Sequence, residues 1–231
     1  MLSPHLTERL SLIRSKGGKR AAAFWLIRQL IRLDIYELYA IGLEPDVRSE
    51  SPVVPTDSRF IELIAPADVE DCDPDILAEL DANSGRGVST VVNQGGRVYA
   101  AIRGKEVLSQ LSIDFGSVHI DSPAEAVLQL GPGDAFLSFL YTNPSARRSG
   151  HAVRLISQVC TVLGKGGVRR CICHISTSNV RSLNAFRRAG WSPIAWMFAM
   201  KGRRLLAILN KPLASRGELG VRWSLPAGDS R

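Results

Sequence analysis

An apolar run at 135–142, a turn containing glycine, and an amphipathic run beginning at Val153 leave this chain few ways to fold. A strand that ends in a tight turn and opens a helix must bury a face of each. The turn reads Thr142-Asn143-Pro144-Ser145-Ala146-Arg147-Arg148-Ser149-Gly150-His151-Ala152. At the start of the helix that follows, several backbone N–H groups have no carbonyl within the helix, and the helix dipole adds partial positive charge there. A polyphosphate can dock on such a turn, and Arg147 and Arg148 add fixed charge beside it. Val153, Leu155, Ile156, Val159, Val162 and Leu163 form the helical stripe, which Gly164 and Gly166-Gly167 end. A strand at 170–176 and a helix at 180–189 come next.

Upstream, 59–64 reads as a strand and 66–82 as helical turns with a dense acidic face. Runs at 88–93, 97–103 and 107–115 read as successive strands, with Gly95-Gly96 as a turn between the first two. Residues 194–200 and 205–209 form a closing hairpin around Lys201-Gly202-Arg203. Three regions follow: a basic N-terminal extension at 1–50, a main domain at 56–212, and a Gly/Pro/Ser-rich tail at 213–231 expected to be loosely held. Within the extension, 19–33 has an apolar stripe facing Lys19, Arg20, Arg28, Gln29 and Arg32, the pattern of an amphipathic helix. The alternation at 34–43 favours a short strand.

Charge is distributed unevenly. Residues 44–134 carry six Lys/Arg against seventeen acids, whereas 135–200 carry nine against none. A field of that sign concentrates a polyanionic ligand around the turn. It does not suggest nucleic acid, because the basic residues lack the aromatic interleaving of a single-strand platform and no recognition helix or zinc finger is visible. Arg28 and Arg32 interrupt the only candidate membrane span or signal segment, 21–33, which leaves peripheral contact through 19–33 as the membrane option. Cys72, Cys160, Cys171 and Cys173 have neither disulfide-framework nor metal spacing, so a reducing cytoplasm and no metal are expected.

Arg147-x-x-Gly150-x-Ala152 after a strand, followed by a strand, Asn179, a short helix and Gly190-Trp191, resembles the GNAT acyl-CoA-dependent N-acyltransferases, whose signature is Arg/Gln-x-x-Gly-x-Gly/Ala. The resemblance implies an α/β (α+β) fold: a mixed, mostly antiparallel sheet with a central splayed parallel strand pair, flanked by helices and here preceded by the basic helical extension. It also implies acetyl-CoA as co-substrate. Backbone groups of Tyr141 and Thr142 would then face the acyl carbonyl and pantetheine, and Arg147, Arg148, Ser149, Gly150, His151 and Ala152 the pyrophosphate. Asn179 would serve the pantetheine region and also suits a helix N-cap.

Acyl transfer to an amine needs a neutral amine, a stabilised carbonyl oxygen and a departing thiolate. Many family members place a Tyr seven residues after the Asn to protonate that thiolate; here the position is Phe186, which is also expected to border the cofactor. His174 and Tyr141 are the replacement proton carriers the sequence offers, and Asp134 or Asp114 could steer an amine. The expected acceptor is a small-molecule or peptide amine, selected by segments near 68–87 and 196–206, with the acidic face at 68–81 attracting a cation. The alternative is a GNAT-like binding or regulatory module that works through its basic N-terminal helix. Trp191, Trp196 and Trp223 suggest a homodimer interface.

Overall fold

The structure, a computed structural model, describes residues 33–43, 58–120, 126–200, 205–210 and 222–224. In chain order the elements are β1 (Leu33–Gly42), β2 (Arg59–Leu63), α1 (Pro66–Glu70), α2 (Pro74–Ala82), α3 (Val88–Asn93), β3 (Arg97–Arg103), β4 (Glu106–Asp114), β5 (Ser117–Ile120) and β6 (Ala126–Gln129). They continue with β7 (Asp134–Thr142), a 3₁₀ turn (Pro144–Ala146), α4 (His151–Lys165), β8 (Arg170–Ser176), α5 (Val180–Arg188), β9 (Ser192–Met200), β10 (Leu205–Asn210) and β11 (Arg222–Ser224). Two compact units divide the chain: Ile41–Val118 with Leu130–Cys173, and the remainder, to which Ala40, His119–Gln129 and the residues from His174 onward belong.

The first unit is built on a mixed sheet. β2, β3, β4 and β7 pair antiparallel in that order, and β8 then joins β7 in parallel. β4 is buried at every residue from Val107 to Asp114. A continuous buried run of this kind needs cover on both faces, and both α2 and α4 pack against it. On α4, Leu155, Ile156, Val159 and Leu163 of the expected stripe are buried, joined by Cys160, while Val153 and Val162 are half-buried. Leu63, Val69, Ile76, Leu80, Val88, Val91, Val92, Val98, Ile102 and Val107 make a second cluster beneath α1 to α3. Each such side chain contributes about 1.5–3 kcal/mol when fully buried.

Residues 88–93 are helical, not the strand expected from their β-branched composition. Val88, Val91 and Val92 recur at helical spacing and all face the core cluster. Gly87, at φ 78°, turns the chain into the helix, and the Val88 N–H donates to Asp81 Oδ1 at 2.6 Å. Gly95 and Gly96 close the helix from the other end, donating to Val92 and Val91 carbonyls at 2.9 Å each. Tertiary burial and local caps together outweigh strand propensity here.

The acidic face at 68–81 is mostly committed to structure. Asp68 accepts from the Ile64 and Ala65 amides, Asp73 caps α2 through Asp75 N–H, and Glu79 accepts from Val107 N–H at 2.9 Å. Lys105 reaches Asp75 at 2.6 Å and Asp73 at 3.1 Å. These carboxylates serve as caps and ion-pair partners, so the expected attraction of a cationic amine is not their main work.

In the second unit β1 lies against β9, antiparallel from Leu33↔Met200 to Ala40↔Ser192, and β10 pairs with the other edge of β9. The strand expected at 34–43 therefore forms, and it takes a place in a sheet. Thr177 fixes it further, since its N–H and Oγ1 both donate to Ile35 C=O at 2.9 and 3.0 Å. Glu37 and Tyr39 are buried, and Arg187 of α5 donates to the Tyr39 hydroxyl at 2.9 Å. Burial, followed by the Glu37 carboxylate, raises the Tyr39 pKa, so its phenol stays protonated. β6 pairs with β11 through Val127↔Ser224 to Gln129↔Arg222, and the rest of the tail at 213–231, expected as loosely held, lies outside the described residues.

The apolar stripe at 19–32 lies outside the described residues. Among the described residues no helix is long and apolar enough to cross a membrane. Trp191 is buried and meets Phe186 edge to face, which leaves little of it to cover an interface, while Trp196 is 39% exposed. The side chain of Trp223 lies outside the described part.

Candidate functional site

The parallel pair opens along its length. Ladder partners run from Asp134↔Arg170 to Phe136↔Ile172, and β7 then continues for six more residues to Thr142. At its closed end the pair is clamped by a charge-assisted fork: Arg170 Nε and Nη2 donate to the two oxygens of Asp134 at 3.0 and 2.5 Å. Asp134, which the sequence suggested as an amine-steering acid, has its charge taken up by Arg170.

A bulge in β7 marks where the strand changes course. Against β4, Gln110 faces Tyr141 and Ser112 faces Ser138, so Phe139 and Leu140 together oppose Leu111. Phe139 adopts φ 50°, a left-handed conformation that costs a non-glycine residue about 1–3 kcal/mol unless its surroundings impose it. Those surroundings come from the loop between α2 and α3. Gly85 lies so close to the Phe139 ring that a Cβ built on it would be 2.0 Å from Cε1. The Arg86 guanidinium stands 5.8 Å from the ring centroid and donates to both oxygens of Asp114 at 2.7 and 2.8 Å. Asp114 also accepts from Ser138 Oγ at 2.8 Å, which fixes the residue before the bulge. The sequence suggested Asp114 as an amine-steering acid; in the fold its charge is taken up by Arg86.

Beyond the bulge, β7 is tied to β4. Ser109 Oγ donates to Tyr141 C=O at 2.7 Å and lies 3.1 Å from Thr142 Oγ1. Asn143 then starts the 3₁₀ turn, its side chain accepting from Ser145 N–H at 3.1 Å, while its amide group reaches Glu79. Ser145 Oγ lies 2.9 Å from Glu106 Oε1. Arg103, and after it Ser145, hold the Glu106 carboxyl below its usual range. Two carboxylates thus secure the head of the turn.

The turn itself carries two left-handed residues, Arg148 at φ 69° and Gly150 at φ 79°. Gly150 occupies the N-cap of α4 without a side chain, and the first helical bond runs from Arg154 N–H to Gly150 C=O at 3.0 Å. Amides ahead of that bond lie at the positive end of a 15-residue helix. Arg147, Arg148 and Ser149 are exposed, Ala152 is partly so, and His151 is buried. Arg147 bends back to donate from Nε to Thr142 C=O at 3.3 Å.

A third guanidinium belongs here that the sequence reading did not single out. Arg154 donates to Ser149 C=O at 2.5 Å, approaches His151 Nδ1 at 3.4 Å, and would lie 3.0 Å from a Cβ at Gly150. Its position four residues after the glycine, on the face that looks back at the turn, was the available signal. Tyr141, Thr142 and the whole of 147–152 are therefore brought together in one unit.

Asn179, His174 and Phe186 belong to the second unit. Asn179 caps α5, its side chain accepting from Ser182 N–H at 3.2 Å. Phe186 is 2% exposed and meets Trp191 edge to face at 4.9 Å. His174 is partly exposed and packs edge to face on Tyr36, with ring centroids 5.4 Å apart. Cys171 is an unsuitable nucleophile, because burial, reinforced by Cys160 and Cys173, pushes its thiol well above the ordinary range.

The model of the acetyltransferase (GNAT) family matches residues 59–191, more than half of the chain. No curated protein matches. Among solved structures, a protein of Novosphingobium aromaticivorans described as an acetyltransferase of the GNAT family is 18% identical, with a TM-score of 0.50, over 78% of this chain and 66% of that one. A GCN5-related N-acetyltransferase from Sphaerobacter thermophilus is 14% identical, with a TM-score of 0.49, over 86% of this chain and 64% of the other. The chain thus spans just under two thirds of the length of these proteins, and half of a Drosophila protein that it also resembles.

Proposed function

The chain belongs to the acetyltransferase (GNAT) family, and on that premise we propose that it transfers an acyl group from acyl-CoA, in the first instance acetyl-CoA, to a primary amine by direct attack. The observation that carries this reading is the turn at 147–152, where left-handed Arg148 and Gly150 open α4 among three arginines. Its chemistry fits a pyrophosphate. Glycine at 150 brings backbone close to a ligand without a side chain intervening, and a Cβ there would press on the Arg154 guanidinium.

In this reading the amides at the start of α4 and the side chains of Arg147 and Arg148 hold the phosphates. Arg154 keeps the turn in shape through Ser149 C=O. Acyl-CoA, when bound, supplies a thioester carbonyl already activated for attack. The chain's own task is to position that carbonyl, receive the amine neutral, and manage two protons. Small-molecule and peptide amines are the acceptor class.

Thermal unfolding with and without ligand tests the reading. At a hundred times its Kd, coenzyme A should add about 2.7 kcal/mol, or about 5–11 °C for a chain of this size. Pantetheine, which lacks the pyrophosphate, should give little. Equal shifts with the two compounds, or a full shift in a Gly150→Trp variant, would refute the assignment of this turn.

A further inference from the structure

Phe139 combines three properties that no packing role requires together. It holds φ 50° without being glycine, it is 40% exposed, and its ring is braced by the loop between α2 and α3. Gly85 lies against the ring edge at Cε1, Cδ1 and Cζ, and the Arg86 guanidinium stands 5.8 Å from the centroid. Arg86 is itself fixed, because both oxygens of Asp114 accept from it at 2.7 and 2.8 Å, and Asp114 also accepts from Ser138 Oγ. A strained residue that its surroundings hold in place, yet leave open to solvent, has the character of a functional position.

All of these groups, and the turn at 147–152 with them, belong to one unit. β7 leads from the bulge into that turn, since Phe139 precedes Thr142 by three residues, or about 10 Å of strand. The ladder with β8 stops at Phe136↔Ile172, so the edge of β7 that runs past the bulge is not paired with β8. Backbone groups along such an edge can pair with an extended ligand that carries amides. A ligand held by its phosphates at the start of α4 and laid back along this edge brings its far end to the bulge. For acyl-CoA that far end is the acyl group.

We infer that Phe139 is the end wall of the acyl site and sets the length of the acyl group, admitting acetyl and excluding butyryl and longer chains. The inference rests on the acyl-transfer reading above. The amine acceptor is a poorer occupant of this spot, because it comes from water largely as a cation. Beside the ring it would meet a guanidinium, and the carboxylate of Asp114 is already committed to Arg86. An acyl end is neutral and apolar, and an aromatic ring suits it. With Gly85 already against it, the ring has no room to recede on that side. A longer chain would have to displace the ring, and with it the contacts of Gly85 and Arg86. In a closed apolar site one methylene is discriminated by about 10–200-fold.

Binding of acetyl-, propionyl-, butyryl- and hexanoyl-CoA to the full chain, measured by titration calorimetry and thermal shift, tests the wall without an acceptor. Wild-type protein should bind butyryl-CoA at least about 10-fold more weakly than acetyl-CoA. Two variants open the site: Phe139→Gly removes the ring and suits the left-handed backbone, and Phe139→Leu shortens the wall. In both, affinity for butyryl- and hexanoyl-CoA relative to acetyl-CoA should rise by at least about 10-fold. Coenzyme A, which has no acyl group, should bind wild type and both variants alike. An unchanged acyl-chain profile in both variants, or wild-type protein that binds hexanoyl-CoA as tightly as acetyl-CoA, overturns the wall and leaves the acyl-transfer reading standing. Loss of coenzyme A binding in both variants also overturns it, by making Phe139 a support of the cofactor turn. Wild-type protein that binds neither coenzyme A nor any of the thioesters overturns both.

Discussion

Replacing Gly85 with alanine isolates the contact that holds the β7 bulge. Two costs add. Gly85 has φ +77°, where an L-residue is disfavoured by about 1–2 kcal/mol. In addition, the new Cβ would stand 2.0 Å from Phe139 Cε1, and overpacking of this kind costs about 1–3 kcal/mol. Gly104 provides the control: its φ is +59°, yet a Cβ there meets nothing within 4 Å, so Gly104→Ala carries the backbone cost alone. At about 2–4 °C per kcal/mol for a chain of this length, Gly104→Ala should melt about 2–8 °C lower and Gly85→Ala about 4–20 °C lower. Circular dichroism melts of the two variants, of Phe139→Ala and of the Gly85→Ala/Phe139→Ala double variant complete the comparison. With the ring gone, the alanine should add only its backbone cost, which leaves a coupling of about 1–3 kcal/mol. Equal melting points for Gly85→Ala and Gly104→Ala would refute the reasoning, since the ring would then yield without cost. So would an undiminished effect of Gly85→Ala in the Phe139→Ala background.

Two further outcomes follow from the same geometry. Asp68, Asp73 and Glu106 titrate below their usual range because of the Ala65 amide, Lys105 and Arg103 respectively. Their folded pKa values lie below the unfolded ones, so their stabilisation is complete above the carboxylate range and is lost as pH falls through the folded values. The melting temperature should therefore fall as pH drops below about 4, less steeply in Asp68→Asn, and a melting temperature that stays level on acidification would contradict this. At Asn179, alanine should cost about 1 kcal/mol of N-cap stabilisation and lower the melting temperature by about 2–4 °C. Aspartate can make the same cap, so Asn179→Asp should melt near wild type, and an equal loss in both variants would remove capping as the explanation.

What could be read from the sequence was what depends on neighbours in the chain. β8 at 170–176, the stripe of α4, the Asn179 cap and the apolar character of 186 all follow from local periodicity and capping chemistry. Residues 88–93 read as a strand because valine-rich spacing suits either element, and burial of Val88, Val91 and Val92 together with the caps at both ends decides for helix. The short strands β5, β6 and β11 carry too few residues to show a period, and β11 lies far along the chain from its partner β6. Arg86, Asp114 and the Ser138-Phe139 pair come from a loop and two separate strands, so no spacing rule links them. Arg154 was within reach, being one helical turn from the glycine it guards.

The pairing of β1 with β9 has a consequence for how the chain is made. Leu33 meets Met200, so β1 finds this partner only after the elements from β2 to α5 have been made. Until then the backbone edge of β1 that β9 covers has no native partner, and contacts this distant in sequence form slowly. A strand made later is thus needed to seat one made earlier, and a polypeptide that stops short of β9 would be left with an open strand edge able to pair with other chains.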